Sequence, residues 1–94
     1  MKAAYKARGG LIRVKLTVKS EVIEEIRFSG DFFMYPEEAL EKLEEKLKGT
    51  PAREEEILKV IKDFYKETKV LTPGVKPEDW LETIKRALHA GETG

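Results

Sequence analysis

The fold is decided by the stretch Ile26-Arg27-Phe28-Ser29-Gly30-Asp31-Phe32-Phe33, which joins a predicted strand to a glycine-acid turn and two consecutive aromatic residues. Before it, apolar and polar residues alternate from position 11 to position 18, and this period of two predicts a half-buried strand. Residues 22–29 are predicted to return as the second strand of an antiparallel hairpin. Residues 3–7 predict a short third strand. The chain therefore begins with an antiparallel sheet of two or three strands.

The hairpin turn is unusual because Ser20 and Glu21 occupy it and neither is glycine. Two-residue hairpin turns need positive φ angles, which glycine adopts most easily. Such a turn would be strained at Glu21, so we predict a loop of another type.

Three helices are predicted after the sheet. Pro36 as a first residue, followed by leucines three and four positions apart, predicts a helix that ends at Gly49. Thr50 as a cap and Pro51 as a first residue predict the start of the second helix. The third helix is predicted from Pro77 to Gly91. Strands followed by helices in this order predict an α+β fold, with the three helices packed on one face of the sheet.

Composition narrows the class of protein. With 94 residues and 40% apolar content, the chain is long enough for one core, and we predict a single domain over residues 1–94. No apolar run is long enough to span a bilayer, and no secretory signal is visible, so no membrane partner is expected. The absence of cysteine excludes a disulfide framework and fits a cytoplasmic location. The chain has 13 Lys and 15 Glu but no Asn or Gln, which predicts a thermophilic source.

Charge is distributed unevenly although the net charge is zero. The first 20 residues have a charge of +6 and no acid, so the remainder has a charge of −6. This asymmetry indicates that an anionic partner or ligand meets the N-terminal part. A solvated strand face offset by acidic helices explains it equally well. The six cations are Lys2, Lys6, Arg8, Arg13, Lys15 and Lys19.

Catalytic groups are scarce in the sequence. His89 is the one histidine, so an imidazole-based metal site or nucleophile-base pair has no second member. We therefore predict no catalytic residue and no metal ligand. The segment Arg8-Gly9-Gly10 offers a guanidinium and a backbone that an anion can approach closely. It leads into a strand, unlike the standard nucleotide-binding loops, so a bend that enters the sheet is the alternative interpretation.

The two aromatic residues after Gly30-Asp31 indicate an interface. Adjacent side chains in an extended segment point to opposite sides, so Phe32 and Phe33 cannot both face one core. One of them is predicted to be buried. The other, with Met34 and Tyr35 nearby, forms an exposed apolar patch suited to a partner surface.

These residues, together with Gly9-Gly10-Leu11-Ile12-Arg13-Val14 and the helix end Leu47-Lys48-Gly49, resemble the C-terminal accessory domain of lipoate-protein ligases. The resemblance extends over residues 9–90, and here it describes a free-standing small subunit. One departure is Glu21, which stands where the family usually has a glycine. The catalytic lipoate-binding and ATP-binding motifs of the family belong to its large domain, and this sequence contains none of them.

The resemblance implies a subunit that is inactive alone and that partners a large catalytic subunit. The pair would activate lipoate with ATP to lipoyl-adenylate, before transfer to a lysine of a lipoyl carrier domain. ATP, Mg and lipoate are expected in the large subunit, and no cofactor is expected on this chain alone. Candidates for the partner-facing or active-site-facing surface are Arg8, Gly9, Gly10, Gly30, Asp31, Phe32 and Phe33.

Two other classes of function remain open. A protein-interaction or dimerisation module without a role in ligation would use the aromatic patch alone. A nucleic-acid-binding module would use the basic N-terminal part, but the chain has no RNA motif or groove-reading helix, so nucleic acid is not expected as a partner.

Overall fold

The structure is a computed structural model that describes residues 1–92, and it contains three strands followed by three helices. The predicted α+β fold is confirmed. The strands are β1 (Lys2–Ala7), β2 (Gly10–Lys19) and β3 (Val22–Gly30). The helices are α1 (Ala39–Leu47), α2 (Glu54–Thr68) and α3 (Pro77–Glu92).

The three strands form one antiparallel sheet in the order β1-β2-β3, so the predicted third strand is present. Alternation in β2 places Ile12, Val14 and Leu16 on the covered face, where each is buried. A register shift between Thr17 and Val18 in the pairing with β3 adds one residue to β3. As a result Ile23 and Ile26, although three positions apart, both face the core.

The hairpin turn differs from our prediction, which was wrong. Lys19 pairs with Val22, so the loop has only two residues, and their φ angles are 54° at Ser20 and 64° at Glu21. Positive φ at both positions matches the right-handed twist of the strands, which outweighs the local cost. The carbonyl of Glu21 also accepts a hydrogen bond from the N–H of Ala52 at 2.9 Å, which fixes the turn to a distant loop.

The first helix begins later than predicted, at Ala39 rather than Pro36. The cause is a pairing that the local sequence does not reveal: Tyr35 forms an antiparallel bridge with Leu71, which keeps the chain extended up to the proline. A turn follows, with the N–H of Ala39 bonded to the carbonyl of Pro36 at 3.1 Å. The helix also ends at Leu47, before the predicted Gly49.

The second helix begins at Glu54, so the prediction of Thr50 as its cap was wrong. Pro51 forms an isolated bridge with Val22 instead of a first helical turn. The hydroxyl of Thr50 donates to the carbonyl of Lys46 at the end of α1. The third helix begins at Pro77 as predicted.

α1 and α3 pack on one face of the sheet, α2 packs against both of these helices, and the other face is covered by no described element. The outer edge of β3 is protected, because the Glu44 carboxylate accepts the N–H of Phe28 at 2.7 Å and the Gly49 N–H donates to Ile23 at 2.8 Å. None of the described helices is long and apolar enough to cross a membrane. The largest fully buried side chains are Trp80, Phe64, Ile12, Leu16, Ile23, Ile26, Leu43, Leu47, Ile57, Ile61 and Ile84.

Candidate partner-binding site

The segment 31–35 leaves the sheet in an extended conformation and has an inward and an outward side. Phe32 is half-buried and Met34 is 5% exposed, so these two residues form the inward side. Phe33 is 62% exposed and Tyr35 is 52% exposed on the outward side. The alternation expected for adjacent aromatics is therefore observed, and Phe33 is the phenylalanine that faces solvent.

The inward side rests on Trp80 of α3, which is fully buried. The ring of Phe32 meets the indole edge-on, with centroids 5.1 Å apart and planes at 83°. Phe28 approaches the same indole at 5.0 Å and 73°. Edge-to-face aromatic pairs add about 1 kcal/mol each beyond the burial of area. Trp80 thus ties the segment to both the sheet and α3.

A buried chain of hydrogen bonds extends from the same tryptophan. The indole N–H of Trp80 donates to the Tyr65 hydroxyl at 2.7 Å, and this hydroxyl lies 2.8 Å from the Thr72 hydroxyl. Thr72 donates its own proton to the carbonyl of Val75 at 2.8 Å, so Tyr65 is the donor to Thr72. Burial raises the pKa of the Tyr65 phenol, which keeps that donor protonated. These hydrogen bonds fix the loop between α2 and α3 to both helices.

The outward side gains a third member, Leu71, from this loop. The backbones of Tyr35 and Leu71 exchange two hydrogen bonds of 2.9 Å, and the Leu71 side chain is 65% exposed. The rings of Phe33 and Tyr35 are stacked, with centroids 6.4 Å apart and planes at 6°. We call Phe33, Tyr35 and Leu71 the outward patch. Exposed apolar side chains gathered in this way are typical of a protein interface.

The two glycines after Arg8 are required by backbone packing. Gly9 donates its N–H to the carbonyl of Gly74 at 2.9 Å, and a Cβ on Gly9 would lie 2.1 Å from the carbonyl oxygen of Pro73. A Cβ on Gly10 would lie 1.8 Å from the carbonyl oxygen of Asp31. Gly9 therefore lets the loop that carries Leu71 pack against the start of the sheet.

Gly30 and Asp31 complete this packing at the other end of the hairpin. A Cβ on Gly30 would lie 2.0 Å from the carbonyl oxygen of Leu11, and the N–H of Asp31 donates to that same oxygen at 2.9 Å. The side chain of Asp31 is exposed. The predicted site residues thus surround one end of the sheet, from which the segment 31–35 departs.

Arg8 lies on a second feature at this end, a shallow depression of about 550 Å³. Its guanidinium is exposed and has no ion-pair partner among residues 1–92. Lys76 lies on the same depression, so two cations border it. Neither Lys76 nor Leu71 was predicted from the sequence, because their positions depend on the loop between α2 and α3. The depression is lined by Arg8, Gly9, Pro73, Gly74, Val75 and Lys76.

The one histidine and the possible metal ligands were also located in the described part of the chain. His89 is exposed near the end of α3. Among residues 1–92, no three His, Cys, Asp or Glu side chains are grouped as a metal site would require. The features that the structure does present, an apolar patch and a depression bordered by two cations, are suited to recognition.

Comparison with known proteins gives two matches in sequence. The family model described as "Bacterial lipoate protein ligase C-terminus" matches residues 1–84. The protein named "Lipoate-protein ligase A subunit 2" of Thermoplasma acidophilum is 44% identical over 81 residues, which is 86% of this chain and 83% of the relative. The thermophilic source predicted from composition fits this relative.

A solved structure is similar over nearly the same region. It comes from an archaeal lipoylation system of Thermoplasma acidophilum, described as a bi-partite lipoate protein ligase and its E2 lipoyl domain. The TM-score is 0.82 and the sequence identity is 43%, with 89% of this chain and 92% of that chain covered.

Proposed function

Since the chain belongs to the family of the lipoate protein ligase C-terminus, we propose that it is the small accessory subunit of a two-subunit lipoate-protein ligase. Its partner is a large catalytic subunit. The observation that carries this proposal is the 44% identity, over 86% of the chain, to a protein named as subunit 2 of such a ligase.

The reaction has two steps. In the first, a carboxylate oxygen of lipoate displaces pyrophosphate from the α-phosphorus of ATP and forms lipoyl-adenylate. In the second, the ε-amine of a carrier-domain lysine displaces AMP from the acyl carbon and releases its proton to solvent. We assign this chain to the first step, with ATP, Mg and lipoate bound by the large subunit. A small subunit that closes over the reacting phosphates can exclude water and add positive charge there.

The outward patch is the surface that we assign to the large subunit. Phe33, Tyr35 and Leu71 are all more than half exposed, and two of them are aromatic, which is the residue class enriched in permanent interfaces. Their backbones are held by the bridge between Tyr35 and Leu71, so the patch is ordered before it binds. A preformed surface loses little conformational entropy on association.

The depression beside the patch is the surface that we assign to the anionic reaction centre. Arg8 and Lys76 border it, and both are exposed to solvent. An arginine can donate two parallel hydrogen bonds to a phosphate, which makes Arg8 the stronger candidate for a contact in the first step.

We further propose a cytoplasmic location, because the reaction consumes ATP and a chain without cysteine needs no oxidising compartment. The rival proposal of an interaction module without a role in ligation makes a different prediction, since lipoate activation would not depend on this chain.

Reconstitution tests the proposal. The two subunits are purified separately, and pyrophosphate release from lipoate and ATP is measured for each and for the mixture. We expect the mixture alone to form lipoyl-adenylate at a substantial rate and then to modify an apo lipoyl domain. Full activity of the large subunit without this chain, or turnover by this chain in isolation, would contradict it.

The role of Arg8 is tested by Arg8→Ala in the assembled ligase. Loss of a charged contact made in the transition state typically slows a reaction about 100-fold, so we expect that loss in lipoyl-adenylate formation. Transfer from preformed lipoyl-adenylate should be retained. Arg53→Ala, at an exposed arginine that precedes α2, is the matched control.

A further inference from the structure

The uncovered face of the sheet has an unusual concentration of cations. Residues directly opposite each other in the register share a face, and Lys2 is opposite Lys15, which is opposite Arg27. These three side chains therefore form one row across all three strands. Lys6 and Arg13 lie on the same face, since Arg13 alternates with the buried residues of β2 and Lys6 alternates with the half-buried Tyr5. We call these five cations the basic face.

The basic face is poorly neutralised by the chain itself. Among residues 1–92, only Arg27 of the five has an ion-pair partner, with 3.8 Å between its guanidinium and the Glu44 carboxylate, and its side chain remains 76% exposed. The acids at the hairpin end have other contacts. Glu25 lies 3.3 Å from the ammonium group of Lys48, and Glu24 accepts a weak 3.5 Å hydrogen bond from Thr17.

This row of like charges does not help the fold. Equal charges directly opposite each other across strands are destabilising. A mixture of positive and negative side chains would keep the face equally well hydrated. Lysines on an edge strand can also prevent pairing with other chains, which explains Lys2 and Lys6 in β1. That explanation does not extend to Lys15, because β2 is the central strand and has no free edge. The arrangement favours an anionic partner.

The chemistry of the face distinguishes between anionic partners. Sheets that bind single-stranded nucleic acid present aromatic side chains on which bases stack. The positions between the cations here are Ala4, Leu11 and Ser29, and none is aromatic. Tyr5 lies on the helix side, where the Arg86 guanidinium is 4.8 Å from its ring centroid. Outside these five cations the chain has a net charge of −5, which repels a polyanion that extends beyond the face. An acidic protein surface fits these features better.

We infer that the basic face docks an acidic surface of the protein substrate, the carrier domain whose lysine receives the lipoyl group. This inference rests on the proposed function. The large subunit is a permanent partner and suits the apolar outward patch. The carrier must arrive and leave in each turnover, and charged surfaces provide fast association with little residual affinity.

The test uses the assembled ligase and an apo E2 lipoyl domain as the probe. The double variant Lys2→Glu with Lys15→Glu is compared with Lys42→Glu with Lys59→Glu, which makes the same change in charge on helix surfaces. We expect the face variant to raise the KM for the lipoyl domain about tenfold at low salt, and the helix variant to leave it unchanged. The KM of the unmodified ligase should rise as salt approaches about 0.3 M, because screening weakens long-range attraction.

A second readout separates docking from structural damage. Lys15→Glu places an acid between Lys2 and Arg27, so the thermal midpoint of the ligase should hold or rise while the KM for the carrier increases. If the thermal midpoint of the ligase and the rate of carrier modification both fall, the inference is overturned.

The remaining outcomes are also decisive. Equal KM values for the face and helix variants would overturn the inference while leaving the proposed function intact, provided that the ligase still forms lipoyl-adenylate. A ligase that forms no lipoyl-adenylate at all contradicts the proposed function and the inference with it. RNA binding gives the third outcome. If labelled single-stranded RNA binds the unmodified ligase tightly, and the face variant loses this binding but keeps a normal KM for the carrier, the face is assigned to nucleic acid instead.

Discussion

Phe32 and Phe33 are neighbours of the same residue type, and they differ in almost every physical respect. Phe32 is half-buried and meets the indole of Trp80 edge-on at 5.1 Å. Phe33 is 62% exposed and stacks only on another exposed ring, that of Tyr35. The pleat of an extended chain assigns the two rings to opposite sides. One side stabilises the fold, and the other offers a surface for recognition.

The two sides depend on the same anchors even though their roles differ. The inward side is held through Trp80 and the hydrogen-bond chain to Tyr65 and Thr72. The outward side is held through the bridge between Tyr35 and Leu71, and Leu71 adjoins Thr72 in the same loop. Damage to that loop should therefore affect both stability and partner binding, whereas damage to one ring should affect one of them.

The largest effect is expected from Gly9→Ala, which forces a Cβ to within 2.1 Å of the Pro73 carbonyl oxygen. The loop must move, so we expect a loss of about 3 kcal/mol or more in stability and weaker binding of the large subunit as well. The matched control is Gly49→Ala, where φ is 83° but no atom lies within 4 Å of the added Cβ, and where about 1 kcal/mol is expected. The measurements are the thermal midpoint of the ligase and the concentration of this chain that half-activates the large subunit. Equal effects of the two substitutions would show that the backbone crossing does not position the loop.

A smaller effect is expected from Phe32→Ser, which removes the ring from Trp80. Burial of a phenylalanine contributes about 3 to 5 kcal/mol when complete, and Phe32 is only half-buried, so we expect a loss of about 2 kcal/mol. The half-activating concentration should stay near normal at temperatures well below the midpoint. If affinity falls while the midpoint holds, the inward and outward assignments are reversed.

The smallest effect is expected from Tyr65→Phe, which removes the acceptor for Trp80 and the donor to Thr72. Loss of these hydrogen bonds should lower the stability of the ligase by about 1 kcal/mol, seen as a lower thermal midpoint. The effect should depend on pH. Because burial raises the folded pKa of this phenol, its stabilising contribution is complete below the unfolded value of 10.0 and is lost as the pH rises from there through the folded pKa. The difference between the two proteins should therefore shrink above pH 10, and a constant difference would contradict the role given to burial.

Local patterns in the sequence predicted much of this architecture. Alternation from residue 11 to residue 18 predicted the central strand, because a period of two depends only on residues that are adjacent in the sequence. The helix starts at Pro36 and Pro51 were predicted wrongly. Tyr35, just before Pro36, is bridged to Leu71 in the loop between α2 and α3, and Pro51 is bridged to Val22 of β3. Helical propensity is a weak local preference, and tertiary pairing outweighs it.

The candidate site was predictable to a smaller degree. Adjacent aromatics indicate that one ring is buried and one is exposed, but the choice between them depends on where Trp80 lies. Leu71 joins the outward patch only because the Gly9–Gly74 contact brings its loop to the sheet. Local sequence patterns do not predict such a contact, because it joins residues 65 positions apart. The roles of Arg8, Gly9, Gly10 and the segment 30–33 at a partner or active-site surface stay predictions.

The most direct test of the account measures how tightly the outward patch holds the large subunit. The large subunit is titrated with unmodified chain, with Phe33→Ser plus Leu71→Ser, and with Phe33→Tyr, while lipoyl-adenylate formation is followed. Loss of two anchors at the centre of an interface typically weakens binding about 100-fold or more, so the serine variant should need that much more protein to reach the same plateau. The tyrosine variant, which keeps the ring, should follow the unmodified chain. Superimposable titrations of all three proteins would contradict the claim that this side of the segment is the subunit interface.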